Sequence, residues 1–258
     1  MLAYLMCALS CVLAYLICGF PSAYVIGERM AHLDVRTVGS GNVGTTNIAR
    51  SVGKKAAALT LLLDVLKAVL AVFVGYGLIG LVGCGDLAAV RPGGRLDWAM
   101  ALVYASCILG HVFTPYLHFK GGKGIAVGFG GALALMWPVG LLLLVPFLVF
   151  AVLTRYVSLG SILAAVALPF LAWAVERPSA AFLVVIVCVA LLVIWSHRAN
   201  IVRLAHGQEK RFAFKKKGVD AGVEPGVKVA AGTGAHPARQ ESQAPAGCGT
   251  HGASGEGR

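Results

Sequence analysis

Gly39-Ser40-Gly41-Asn42-Val43-Gly44-Thr45-Thr46-Asn47-Ile48-Ala49-Arg50 carries the densest polar chemistry of this chain, and it stands between two long apolar runs. Glycine lets a backbone approach a ligand closely and take φ > 0, so that successive N–H groups converge on an anion. Ser40, Asn42, Thr46 and Asn47 add short hydrogen-bonding groups, and Arg50 closes the run with a planar fork suited to phosphate. Gly121-Gly122-Lys123-Gly124 sets a lysine among glycines where a helix could start, and a helix N-terminus offers free N–H groups to an anion. Thr154 to Ser161 adds Arg155, Ser158 and Ser161, which would share a face if all three were helical. His197, Asn200 and Arg203 recur every three residues, as one polar stripe. Each set also has a plainer reading. The first is a flexible connector, the second a basic turn, the third a helix cap with an interfacial tyrosine, the fourth a basic helix lying on headgroups.

The elements that must position these sets follow from composition. The chain has 258 residues, of which 58% are hydrophobic and 13% charged, with a mean hydropathy of +0.81. A soluble domain is about a quarter charged. The charges fall in islands between apolar runs, so the expected fold is all-α, a polytopic integral membrane protein. Spans are expected at about Met1–Ile26, Ala56–Val82, Trp98–Leu117, Ser158–Val175 and Ala180–Trp195. The stretch Ile125 to Leu153 is interrupted by Pro138 and Gly140, and is read as two short helices of about 13–15 residues. That makes about seven transmembrane helices, two of them short. The basic excess of Arg29, Arg36, Arg50, Lys54 and Lys55, and of the terminal run through Lys217, places both regions in the cytoplasm and the N-terminus outside. The four polar sets then share the cytoplasmic side, where connectors would have no need of shared chemistry. The expectation is a pocket for one or two phosphates. Residues 1–218 form the membrane domain, and 219–258, rich in Gly, Ala and Pro without periodicity, a disordered cytoplasmic tail.

Other function classes fit less well. Gly39 to Gly44 matches G-x-G-x-x-G, but no strand precedes it and no soluble βαβ unit follows. Gly122-Lys123 is followed by Gly124, so a Walker A loop fails. The net charge of +11 flanks apolar segments and is assigned to topology and anionic lipid, with no nucleic-acid partner. The cysteines lie mostly in apolar runs and include no C-x-x-C, so no metal site is expected. Leu16-Ile17-Cys18 lacks the basic n-region of a signal peptide and is read as part of a retained helix. Within the spans, Asp64 and Lys67 share a helix face, and His111 is an intramembrane ionisable group and so a functional candidate. A transporter for an organic phosphate is the principal alternative. Against it, the polar sets gather at one face and no inverted repeat is visible. A regulatory protein that binds anionic lipid through its basic tail is a third reading.

Taken together, the motifs resemble the acyl-phosphate:glycerol-3-phosphate acyltransferase family of bacterial inner membranes, the PlsY type. The family's GSGNxGATNxxR is matched by Gly39 to Arg50, with Thr45 for Ala. Its His followed by F-K-G-G-K-G-V-A is matched from His111 through Phe119 to Ala126, with Ile125 for Val. Its third motif looks like Thr154 to Ser161, and H-R-x-N-I-x-R-L-x-x-G-x-E matches His197 to Glu209 at every fixed position. The Asp64 and Lys67 pair resembles the family's second span. The likeness covers about Pro21 to Glu209.

The resemblance implies transfer of a fatty acyl group from acyl phosphate to the sn-1 hydroxyl of glycerol-3-phosphate, the first step of phospholipid synthesis. The products would be lysophosphatidic acid and inorganic phosphate. It implies no cofactor, no metal and no direct use of acyl-CoA or acyl-carrier protein, with membrane lipid and the enzyme that supplies acyl phosphate as partners. The better-known H-x-x-x-x-D acyltransferase signature is absent: His111 reaches Tyr116 at that spacing and His197 reaches Val202. An acyl phosphate carries a good leaving group, so the demand is for positioning and charge compensation. Ser40, Gly41, Asn42, Thr46, Asn47, Arg50, Gly121, Gly122, Lys123, Gly124, Arg155 and Ser161 are expected to bind phosphate. His197, Asn200, Ser158, Lys123 and Arg50 are expected to serve catalysis, supported by Asp64, Lys67, His111 and Glu209. The proton acceptor is His197 or a substrate phosphate oxygen.

Overall fold

A computed structural model describes residues 1–211, and the expected tail lies outside them. Among the described residues there are ten α-helices and no strand. They are α1 (Leu2–Gly19), α2 (Ser22–Ala31), α3 (Thr45–Ser51), α4 (Lys54–Gly75), α5 (Asp97–Val112), α6 (Ile125–Leu135), α7 (Trp137–Thr154), α8 (Val157–Glu176), α9 (Ala180–Ser196) and α10 (Arg198–Ala205). A π-helical stretch, Tyr76–Gly83, continues α4. Helix α2 runs on from α1 past Pro21, and together they make one 30-residue apolar unit.

These helices invert the packing of a soluble protein. On α4, Leu62, Leu66, Leu70 and Phe73 face outward, while Ala68, Ala71 and Val72 are fully buried. Lipid tails solvate the large side chains, and small residues let helix backbones close up. Gly110 of α5 shows why: a Cβ there would strike the backbone of Tyr15 on α1. The main pairings are α1 with α5, α4 with α6, α7 with α8 and α8 with α9.

Five units are long and apolar enough to cross a membrane: Leu2–Ala31, Lys54–Gly83, Asp97–Leu117, Trp137–Thr154 and Val157–Glu176. Helices α9 and α10 make a sixth if their pair, bent by 56° at His197, is one crossing. The segment from Ile125 onward divides, but not as two short helices. The break falls at Met136 (φ −146°, ψ 73°), because Pro138, which lacks an N–H, sits in the first turn of α7 where none is needed. Pro146 does not end that helix. The result is an 11-residue α6 and an 18-residue α7. At 1.5 Å per residue, α6 reaches about 16 Å, roughly half of the hydrocarbon core, while α7 reaches about 27 Å. Only one of the pair is short. Its short helix is buried against α4, where Gly130 packs on the backbone of Val65.

The opposite end of the bundle from the glycine-rich loops is fixed by Asp97, which is fully buried. Its carboxylate accepts from Gly93 N (3.1 Å), Ser179 N (2.8 Å) and Ser179 Oγ (2.5 Å), tying the loop before α5 to the loop before α9.

Candidate active site

The glycine-rich loop Gly39–Gly44 is shaped mainly by one buried side chain. Asn47, on α3, donates from Nδ2 to Val35 O (2.9 Å) and Val38 O (3.1 Å), and its Oδ1 accepts from Ser40 N (2.9 Å). Both of its N–H donors are spent on backbone carbonyls, so Asn47 holds the loop's shape and has no donor left for a phosphate. Gly39 (φ +64°) is needed because a Cβ there would collide with that same Asn47 oxygen. Ser40 and Gly41 are exposed, Asn42 and Thr46 half-buried, and Arg50 reaches outward to Lys210 O (3.3 Å). Thr45, the residue that departs from the family pattern, opens α3. Its hydroxyl is buried with no hydrogen-bond partner among the described residues.

The lysine loop is clamped to the end of α5. Gly121 N donates to Val112 O (3.0 Å) and Gly122 N to His111 O (3.1 Å). Side chains are excluded here: a Cβ on Gly122 would strike the His111 imidazole and come within 2.7 Å of Val43 O. His111 itself belongs to a buried cluster between α2, α4 and α5. Lys67 Nζ lies 2.8 Å from Asp64 Oδ1 and 3.2 Å from His111 Nδ1, and donates to Phe20 O (2.7 Å). Ser22 Oγ also donates to Asp64. A buried ion pair of this kind is costly to break, since removing one partner strands the other. Its place beneath Gly121-Gly122 makes it a foundation for that loop.

Above it, residues remote in sequence meet. Lys123 Nζ contacts Asn200 Oδ1, while Asn200 Nδ2 donates to Glu209 Oε1 (2.7 Å). Ser158 Oγ donates to the same oxygen (2.9 Å), and Arg203 Nε to Glu209 Oε2 (2.7 Å). Burial pushes Lys123 down from the ordinary 10.5 to about 8, with Glu209 opposing that fall and Arg203 and Arg50 adding to it. Burial alone would raise Glu209. The hydrogen bonds from Asn200, Arg203 and Ser158 outweigh it and hold that carboxyl below its usual value. His197 is 2% exposed at the bend between α9 and α10, and its Nδ1 lies 2.8 Å from Val193 O. That contact puts the proton on Nδ1 and leaves Nε2 as an acceptor.

Two expected members stand apart. Arg155 is not on α8 with Ser158 and Ser161. It takes a left-handed conformation (φ 62°) where α7 hands over to α8, and its side chain is exposed. Ser161 is buried, but its hydroxyl donates to Val157 O one turn back (2.9 Å). Ser22, Asp97 and the segment Lys210-Arg211, which lies against Arg50 and Tyr156, were not legible as parts of the design. Ser22 follows a proline with no spacing that signals a partner, and the loop holding Asp97 shows only balanced charge. Among the described residues no three His, Cys, Asp or Glu side chains gather at ligand spacing.

An apolar helical bundle whose outer face is greasy and whose one end gathers cations, amides and hydroxyls defines an integral, multi-pass membrane protein with a polar site at its surface. The glycerol-3-phosphate acyltransferase family model matches residues 8–207, and the chain belongs to that family. A glycerol-3-phosphate acyltransferase of Prochlorococcus marinus (strain NATL1A) is 40% identical over 200 residues, covering 76% of this chain and 93% of that protein. One of Endomicrobium trichonymphae is 40% identical over 212 residues, 80% and 96% of the two chains. Among solved structures, the crystal structure of PlsY (YgiH), an integral membrane glycerol 3-phosphate acyltransferase in its glycerol 3-phosphate form, is similar at a TM-score of 0.70 and 31% identity. It covers 80% of this chain and 96% of that one. The lysophosphatidic acid form of the same protein gives 0.68 and 30%, covering 80% and 95%.

Proposed function

We propose that this acyltransferase takes its acyl group from an acyl phosphate and delivers it to the sn-1 hydroxyl of glycerol-3-phosphate, at the cytoplasmic face of the bacterial inner membrane. The hydroxyl oxygen attacks the acyl carbonyl, the bond from that carbonyl to the phosphate oxygen breaks, and lysophosphatidic acid and inorganic phosphate leave. The hydroxyl proton goes to His197 Nε2 or to a phosphate oxygen of the substrate. An outside N-terminus belongs to the same reading.

The observation that carries it is the meeting of Lys123, Asn200, Ser158, Arg203 and Glu209, drawn from three separate sets, beside Arg50 from a fourth. Such a site brings the cations Lys123, Arg203 and Arg50 together to compensate anionic groups. That suits an activated donor whose leaving group needs only charge compensation. Ser40 and Asn42 on the adjoining loop and Thr46 on α3 complete the phosphate contacts in this reading, while Gly41, Gly121 and Gly122, whose N–H groups are bonded to Val38, Val112 and His111 carbonyls, give the two loops their shape.

The test is purified protein in detergent with labelled glycerol-3-phosphate and palmitoyl phosphate, palmitoyl-CoA or palmitoyl-acyl-carrier protein in parallel. Labelled lysophosphatidic acid is expected from palmitoyl phosphate alone. Product from either of the other donors, with none from palmitoyl phosphate, would overturn the donor assignment.

A further inference from the structure

We propose that Glu209 is a positioning residue for the transfer, working through Asn200 to hold the Lys123 ammonium in place and charged. The inference rests on the reading of Lys123 as a phosphate-holding cation. An amide has a donor end and an acceptor end, and here both are assigned. Asn200 Nδ2 donates to Glu209 Oε1 at 2.7 Å, which turns Oδ1 toward Lys123 Nζ. Glu209 is itself fixed from two more sides, by Ser158 of α8 and Arg203 of α10, and its side chain is only 7% exposed. Gly207 (φ +67°) reverses the chain after α10 so that Glu209 folds back over the site. The next residues keep it there: Lys210 O accepts from Arg50, and Arg211 lies over the Tyr156 ring.

The charges around Lys123 make this arrangement consequential. It is faced by Glu209, by Arg203 and Arg50, and by the buried His197. Glu209 is therefore the anion that offsets two guanidinium groups. Without it, Lys123 would face Arg203 and Arg50 with no opposing charge and would lose its proton at lower pH.

The experiment is kcat/KM for glycerol-3-phosphate measured from neutral to alkaline pH, a profile that reports the free enzyme. For the wild type, an alkaline limb is expected near pH 8, where Lys123 loses its charge. Glu209→Gln should move that limb to lower pH by about one unit, the effect of losing a neighbouring opposite charge. Glu209→Asp should leave it near the wild-type position. A role confined to folding would lower the yield of active enzyme without moving the limb, so an unmoved limb in Glu209→Gln overturns the proposal, as does an Asp variant that follows Gln. Should Glu209→Gln fail to fold, Arg203→Gln gives the opposite sign. It removes a cation facing Lys123 and leaves Glu209 on Asn200 and Ser158, so the limb should move to higher pH. A limb that stays or falls there counts against the relay. Lys123→Arg, charged throughout this range, separates the two readings. A limb that persists in that variant overturns the assignment of Lys123 itself, whereas its disappearance supports Lys123 as the titrating group, so that an unmoved limb in Glu209→Gln then overturns the role of Glu209 alone.

Discussion

Lys123 and Arg50 carry the same charge in opposite settings. Lys123 is half-buried and held by Asn200, while Arg50 is exposed and among the described residues meets a backbone carbonyl. A half-buried ammonium acts on a phosphate at lower effective dielectric than an exposed guanidinium. Lys123→Ala is therefore expected to reduce kcat/KM by about 10²–10³-fold, the cost of removing a preorganised charge-stabilising group. Arg50→Ala should act mainly through the KM for glycerol-3-phosphate, as for a contact made equally in the ground and transition states. Steady-state kinetics on variants that purify as monodisperse protein checks both. An Arg50→Ala enzyme with unchanged KM and reduced kcat would reverse the division. His197 belongs at this scale too: a free Nε2 behind a fixed Nδ1 is the arrangement of a positioned acceptor.

Two buried side chains, Asn47 and Asp97, hold elements in place without touching a substrate. The first loop is a backbone shape imposed by Asn47. Asn47→Ala would strand the buried Val35 carbonyl, at about 1–3 kcal/mol, and release the part-buried Ser40 N and Val38 carbonyl at a smaller cost. The expected result is a lower Tm together with a higher KM, because Ser40 sits in the loop that loosens and Arg50 on the helix that follows it. Thermal unfolding beside the kinetic assay reads both. At the far end, Asp97 ties two inter-helix loops through three hydrogen bonds. Asp97→Ala should lower Tm while the specific activity of the folded fraction stays near wild type, since the carboxylate lies at the other end of the bundle. Lost activity at unchanged Tm would mean that this end communicates with the site.

At the scale of the whole molecule, the unequal pair α6 and α7 decides how the chain returns to the site end. A helix of 11 residues, buried against α4, turns at Met136, and the 18-residue α7 leads back to Arg155 and on to Ser158. This brings Arg155 to the same end as Lys123 and Glu209, with its side chain exposed. In the proposed orientation, a single cysteine at Arg155 in a cysteine-free background should label in inside-out vesicles and resist a membrane-impermeant thiol reagent in intact spheroplasts. Labelling in intact spheroplasts would reverse the sidedness.

The sequence by itself determined the class of fold, because apolar runs separated by charge islands permit little besides a helical bundle in lipid. It also showed the four polar sets and the family likeness, since these are local patterns of residue type and spacing. What it could not decide was partnership. Lys123, Ser158 and the Asn200–Glu209 pair lie far apart in the chain, and only the packing of α8, α10 and the lysine loop joins them. The same limit explains Arg155: its spacing from Ser158 suggested a shared helical face, but the chain turns between them, and a left-handed residue has no helical face to share. It explains Asn47 as well, whose amide suits phosphate by type yet is consumed by its own loop. Residue type sets what a group is able to bind. Tertiary structure decides whether its hydrogen bonds are already spent.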